Sequence, residues 1–221
     1  MSAVYLLRHG QASFGAADYD VLSPTGELQA KVLGAELRER GLAPAQAWSG
    51  TLSRQRSTAS ITLAAAGIDL PCQTDERWNE YDHLGLVQHH LAAHETKQPA
   101  SSRDFQDILD RALHGWISDG VPAGQAGTFA DFEGRANAAL TEVAESLGSG
   151  GTAVVFTSGG VIAAICARLL GMPGAGLVSL NRVVVNAAVT KIVHGRSGAS
   201  LVSFNEHGHF EGANRELLTY R

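Results

Sequence analysis

Ala3-Val4-Tyr5-Leu6-Leu7-Arg8-His9-Gly10 opens the chain with a short apolar run that delivers a guanidinium, an imidazole and a glycine at its carboxyl end. An uninterrupted apolar run of this length reads as a strand buried on both faces, as in parallel sheets covered by helices. Open α/β sheets bind ligands beyond the carboxyl ends of their strands, so Arg8 and His9 stand where chemistry is expected. Gly10 lets backbone come close beside them.

Outward from this stretch the order of strand, loop and helix repeats. Ser23-Pro24 reads as a helix cap and first helical residue, and Leu28, Val32, Leu33 and Leu37 predict an amphipathic helix to about Arg40, stopped by Gly41. Residues 45–48 predict a second strand, and residues 52–66 a second helix closed by Gly67. From about residue 78 to 130 the rhythm breaks, with a histidine-rich run at 88–94, a polar stretch to Asp104 and a helical segment near 107–117. It resumes with a helix at 132–147, a strand at 153–157, a helix at 160–170, and strands at 188–194 and 200–204 joined across Gly195-Arg196-Ser197-Gly198. The expectation is one α/β domain over residues 1–221. It is a three-layer α/β/α sandwich with a mostly parallel central sheet and a helical insertion over the site at about 84–130.

Composition narrows the partners. The 221 residues include 17 basic and 22 acidic side chains, a net charge of −5, with 44% hydrophobic and only 18% charged residues, which excludes disorder as the dominant state. A mildly acidic chain has no general attraction for polyanions, so neither nucleic acid nor an anionic membrane is expected, and a phosphate must be held by a few placed cations. Cys72 and Cys166 form neither a disulfide framework nor a metal-ligand spacing, which suggests a reducing, cytoplasmic setting. The first apolar run is too short for a signal peptide, and residues 154–170 are broken by Ser158-Gly159-Gly160 and Arg168, short of the roughly 20 apolar residues that span a bilayer.

Three motifs follow one another: Arg8-His9-Gly10-Gln11, then Leu22-Ser23-Pro24-Thr25-Gly26-Glu27-Leu28-Gln29-Ala30, then Ser49-Gly50-Thr51-Leu52-Ser53-Arg54-Gln55-Arg56-Ser57-Thr58-Ala59. In this order they resemble the histidine phosphatase superfamily, the phosphoglycerate mutase-like proteins, most strongly over residues 4–60. The resemblance implies that His9 is a nucleophile forming a phosphohistidine, and that Arg8 and Arg54 clamp the phosphoryl oxygens. An imidazole beside guanidinium groups is pushed toward its neutral, nucleophilic form, and forked donors suit a transferring phosphoryl group. Arg56, two positions on, falls on another helix face. The resemblance also implies a general acid from the loop before the insertion. In Asp75-Glu76-Arg77-Trp78-Asn79-Glu80-Tyr81-Asp82 the candidate is Glu80, with Glu76 and Asp82 as rivals.

The fourth element departs from the family pattern. In Val154-Val155-Phe156-Thr157-Ser158-Gly159-Gly160, Ser158 stands where a second histidine is expected. Losing one placed donor at such a site costs roughly 10²- to 10³-fold. The Ser158 hydroxyl with the Gly159 and Gly160 amides still suggests an anion site at a helix N-terminus. A serine nucleophile at Ser158 is a weaker reading, because Phe156 breaks Gly-x-Ser-x-Gly and no aspartate follows. His90 and His94, with Glu95 adjacent, lack an obvious third metal ligand. His207-Gly208-His209 resembles the family's closing segment, a structural element. The expected activity is a phosphatase acting on a small phosphomonoester, with no metal or cofactor. A catalytically weak phosphoester-binding module and mutase-type phosphoryl transfer are the alternatives, and a homodimer is left open.

Overall fold

A computed structural model describes residues 1–13, 20–94, 100–120, 123 and 126–220. Strands β1 (Ser2–Arg8), β2 (Gln46–Ser49), β3 (Cys72–Thr74), β4 (Thr152–Thr157), β5 (Val189–Gly195) and β6 (Gly198–Glu206) form a six-stranded sheet in the order β3-β2-β4-β1-β5-β6. β3, β2, β4 and β1 are parallel, while β5 runs against β1 and pairs with β6 as a hairpin. The mostly parallel sheet matches the sequence expectation. Arg8 of β1 lies opposite Thr157 of β4, so His9 and Ser158 leave the sheet side by side.

Both faces of the central strands are buried, which is why β1 and β4 read as continuous apolar runs. Val4 and Leu6 of β1, with Ala153 and Val155 of β4, join the core on one face. Leu7, Val154 and Phe156 join that on the other. Helices α1 (Pro24–Glu39) and α2 (Ser53–Ala66) cover the second face; α5 (Phe129–Ser146) and α6 (Gly159–Leu169) cover the first. Between β3 and α5, α3 (His83–His94) packs on α4 (Ser102–Asp119), and α7 (Ala175–Val183) packs on α4 and α6. Among the described residues no helix is long and apolar enough to cross a membrane.

The helix signals at Ser23 and Gly67 behave as expected. The Ser23 hydroxyl accepts the Gly26 N–H at 3.0 Å, and Gly67 ends α2 in the left-handed region at φ 71°. Three elements lie outside the sequence expectation: β3, with only three residues, α3 and α7. α4 begins earlier than residue 107 because Ser101, inside the polar stretch, caps it by accepting the Asp104 N–H at 3.1 Å. A Cβ on Gly10 would collide with the Gly26 carbonyl oxygen, and one on Gly26 with that of Gln11. The loop after β1 is thus pressed backbone to backbone against the first turn of α1.

Candidate active site

His9 is anchored by its backbone where β1 ends. Its N–H donates to the Thr157 carbonyl at 2.9 Å, and its carbonyl accepts from Asn186 Nδ2 at 3.2 Å and the Ala187 N–H at 3.3 Å. Ring Nδ1 lies 2.7 Å from the Gly10 carbonyl. A carbonyl can only accept, so this contact assigns the proton to Nδ1 and leaves a lone pair on Nε2. Arg54 Nε donates to that Nε2 at 3.2 Å. Burial, then the Arg54 and Arg8 charges, hold the His9 pKa well below the ordinary imidazole value.

The two guanidinium groups reach His9 from different elements. Arg8 Nη1 donates to the carbonyls of Val184 and Tyr220, the latter at 2.8 Å. Asn205, in the left-handed region at φ 58°, fixes the Val184 segment. Its Oδ1 accepts the Val185 N–H at 2.8 Å and its Nδ2 donates to the Val183 carbonyl at 2.7 Å. Arg54 is buried on α2 and paired through Nη1 with Asp20 at 2.7 Å, whose other oxygen accepts the Ser53 N–H at 2.7 Å. Thr58, one turn on and hence on the same face, accepts the Gly10 N–H at 3.0 Å and donates to the Arg54 carbonyl at 2.7 Å. Arg56 is exposed and lines a separate groove between α2 and β3.

Glu80 arrives on a loop pinned from three sides. Arg135 of α5 donates to the carbonyls of Glu76, Arg77 and Asn79 at 3.0, 2.7 and 2.7 Å. The Trp78 carbonyl accepts from Thr157 Oγ1 at 2.7 Å and from Gln55 Nε2 at 3.0 Å, while the Trp78 ring is fully buried. The Glu80 carboxyl accepts the Gly160 N–H at 3.0 Å and the Tyr81 N–H at 3.2 Å. Burial nevertheless pushes its pKa up, outweighing the Gly160 hydrogen bond and the Arg54 and Arg8 charges. Of its rivals, Glu76 is exposed, and Asp82 caps α3 by accepting the Gly85 N–H at 2.9 Å.

Arg8, His9, Arg54 and Glu80 meet in one cavity of about 370 Å³, walled further out by α3, α4, α7 and Tyr220. Ser158 does not line its wall. It is fully buried, and its hydroxyl accepts from Gln55 Nε2 at 2.8 Å, so its partner is an amide rather than an imidazole. The Gly160 amide, expected in an anion site, is taken by Glu80. Gly159 lies beside the Arg8 guanidinium, where a Cβ would come within 3.3 Å of Nε. Asp20, Gln55, Arg135, Asn181 and Tyr220 escape a sequence reading. Only Gln55 carries a local signal, as a long amide beside Arg54 on a helix of small residues.

Of the remaining histidines, His83 lines this cavity and the others do not. His90 and His94 stack on α3 with ring centroids 4.2 Å apart, and Glu95 lies outside the described residues. Among the described residues no three His, Cys, Asp or Glu side chains converge to hold a metal ion. His209 Nε2 sits 3.1 Å from the Ala187 carbonyl, a contact that braces the chain beside His9.

A family model described as histidine phosphatase superfamily (branch 1) matches residues 4–207. Two 2,3-bisphosphoglycerate-dependent phosphoglycerate mutases are similar over part of the chain. The protein from Thermobifida fusca is 38% identical over 96 residues, 40% of this chain and 38% of that one. The protein from Corynebacterium diphtheriae is 36% identical over 107 residues, 45% and 42% of the two chains. The matched segments therefore span about two fifths of each relative's length. Among solved structures, Bacillus stearothermophilus YhfR superposes with a TM-score of 0.70 at 23% identity, covering 96% of this chain and 100% of that one. A mycobacterial glucosyl-3-phosphoglycerate phosphatase does so with a TM-score of 0.66 at 25% identity, covering 92% and 98%.

Proposed function

Because this chain belongs to the histidine phosphatase superfamily, we propose that it hydrolyses a small phosphomonoester through a covalent phosphohistidine on His9. The observation that carries this reading is the ring of His9, whose Nδ1 is tied to Gly10 while Nε2 stands beside Arg54 in the cavity that holds Glu80. In the first step Nε2 forms a bond to phosphorus as the bond to the leaving oxygen breaks, and protonated Glu80 gives its proton to that oxygen. In the second, the Glu80 carboxylate takes a proton from water as its oxygen attacks phosphorus, the N–P bond breaks and inorganic phosphate leaves. Arg8 and Arg54 bind the equatorial oxygens, where the charge resides throughout. The chemistry needs no metal, and two free thiols at Cys72 and Cys166 suit a cytoplasmic setting.

The test is hydrolysis of 4-nitrophenyl phosphate with and without a chelator. His9→Ala should abolish turnover and chelation should leave it intact; turnover surviving His9→Ala overturns the nucleophile. Acid-labile, alkali-stable phosphate should accumulate on Glu80→Gln protein. The orientation of Ser158 toward Gln55 favours one second reading, a binding module whose cradle lacks a donor. It predicts no turnover by any variant, with phosphate binding lost in Arg54→Ala. Mutase-type transfer, which the two curated relatives support, predicts instead that the phosphoryl group passes to an added phosphoglycerate faster than to water.

A further inference from the structure

Beyond the phosphoryl cradle, the cavity changes character. Its outer wall carries Tyr81, His83, Phe105 and Leu109, with the Phe105 and His83 rings edge to face at 6.4 Å between centroids. Arg182, Gln106 and Asn181 share that wall, and each is engaged by a neighbour. Arg182 of α7 donates from both Nε and Nη2 to Asp110 Oδ2, the Nε bond measuring 2.7 Å. Gln106 Nε2 donates to the other Asp110 oxygen at 2.6 Å, and Asn181 Nδ2 donates to the Tyr81 hydroxyl at 3.2 Å. Asp110 is itself buried, 5% exposed, so the pair it makes with Arg182 is held in place from below. Among the described residues, Arg182 is the one Lys or Arg on this side of the cavity, and Asp110 neutralises it.

Resting on the phosphatase reading, we propose that the leaving-group side of this cavity selects phosphomonoesters of aromatic or other apolar alcohols and discriminates against those carrying a second anionic group. An apolar alcohol covers Phe105, Leu109 and Tyr81 without disturbing a hydrogen bond. A carboxylate or second phosphate in the same place loses part of its hydration against the apolar wall and finds the Arg182 charge already balanced by Asp110. Specificity by an apolar wall of this size is worth about 10- to 200-fold per well-placed group.

Phosphonates test the wall without chemistry, because their C–P bond is not hydrolysed. Calorimetric titration of the wild-type protein at pH 8, where an ordinary imidazole is uncharged, compares 2-phenylethylphosphonate with 3-phosphonopropionate. The aromatic ligand should bind at least about tenfold more tightly, and Phe105→Ala and Leu109→Ala should each shrink that ratio. Asp110→Asn, which keeps the shape but releases Arg182, should raise the affinity for 3-phosphonopropionate by about tenfold. Equal or tighter binding of 3-phosphonopropionate to the wild type, a ratio unmoved by both wall variants, or no binding of either ligand overturns the proposal. Failure of the phosphatase reading is separate: it appears as hydrolysis of 4-nitrophenyl phosphate that is absent or independent of His9, whatever the phosphonate ratio.

Discussion

His9 carries its proton on Nδ1 because the nearest acceptor is the carbonyl of its own neighbour, and Nε2 is thereby kept as a base among cations. The sign of the pH dependence follows. His9 must be unprotonated to attack, and its pKa is lowered, so the acid limb of kcat/KM should lie below the ordinary imidazole range. Glu80 must be protonated to release an alcohol, and its pKa is raised, so activity should persist above the ordinary carboxylate range and fall as pH rises further. A pH profile with an alkyl phosphate should therefore be bell-shaped, and Glu80→Gln should remove the alkaline limb while lowering the maximum. A second prediction concerns Ser158, which the Gln55 amide faces directly. Ser158→His alone must push that amide aside in a fully buried place, and should cost about 1–3 kcal/mol in unfolding free energy with no gain in turnover. Combining it with Gln55→Ala makes room for the ring. The double variant should exceed the wild-type kcat, by up to about 10²-fold if the ring supplies the missing donor.

At the scale of elements, the acid is positioned by a helix that packs directly on the loop carrying it. Arg135 of α5 spans three carbonyls of the loop that carries Glu80, and a planar fork with five donors can do this where an ammonium cannot. Arg135→Ala should destabilise the fold by about 2 kcal/mol in a denaturant titration, since the carbonyls regain only partial hydration. It should also lower kcat at least about tenfold for an alkyl phosphate and less for 4-nitrophenyl phosphate, whose leaving group needs little protonation. Arg135→Lys should restore only part of both. The same scale explains why β1, α1, α2 and β4 are readable in the sequence and β3 is not. The first group is bounded by local chemistry such as the Ser23 cap and Gly67, and β1 and β4 carry unbroken apolar runs. β3 is three residues on a sheet edge, formed because β2 is there to pair with it. A reading of local signals has nothing to find there.

Across the whole molecule, the far end of the chain closes the site at its beginning. Gln29 of α1, fully buried, accepts the Gln11 N–H at 2.7 Å and donates to the Leu217 carbonyl at 2.6 Å and Thr219 Oγ1 at 2.8 Å. Thr219 donates to Asn186 at 2.9 Å, and Asn186 holds the His9 carbonyl. Tyr220 meanwhile accepts from Arg8 through its backbone carbonyl. Ending the chain after Glu216 should therefore lower both the melting temperature and kcat/KM, the latter by at least about tenfold as Gln29 and Arg8 lose buried partners. Tyr220→Ala keeps the backbone carbonyl and should retain most of the 4-nitrophenyl phosphate turnover. What the sequence determines by itself is the α/β class, the ends of the strands and helices around His9, and the identity of His9, Arg8, Arg54 and Glu80 as candidates. These depend on interactions within a few residues, or on motifs whose order survives in one dimension. Only the tertiary structure decides which atoms those candidates face: that Ser158 turns to Gln55, that Glu80 occupies the Gly160 amide, that Asp20 pairs with Arg54 and Asp110 with Arg182. Each of these contacts joins residues far apart in the chain, and its partner is set by the space packing leaves, where a buried polar atom without a donor or acceptor is costly.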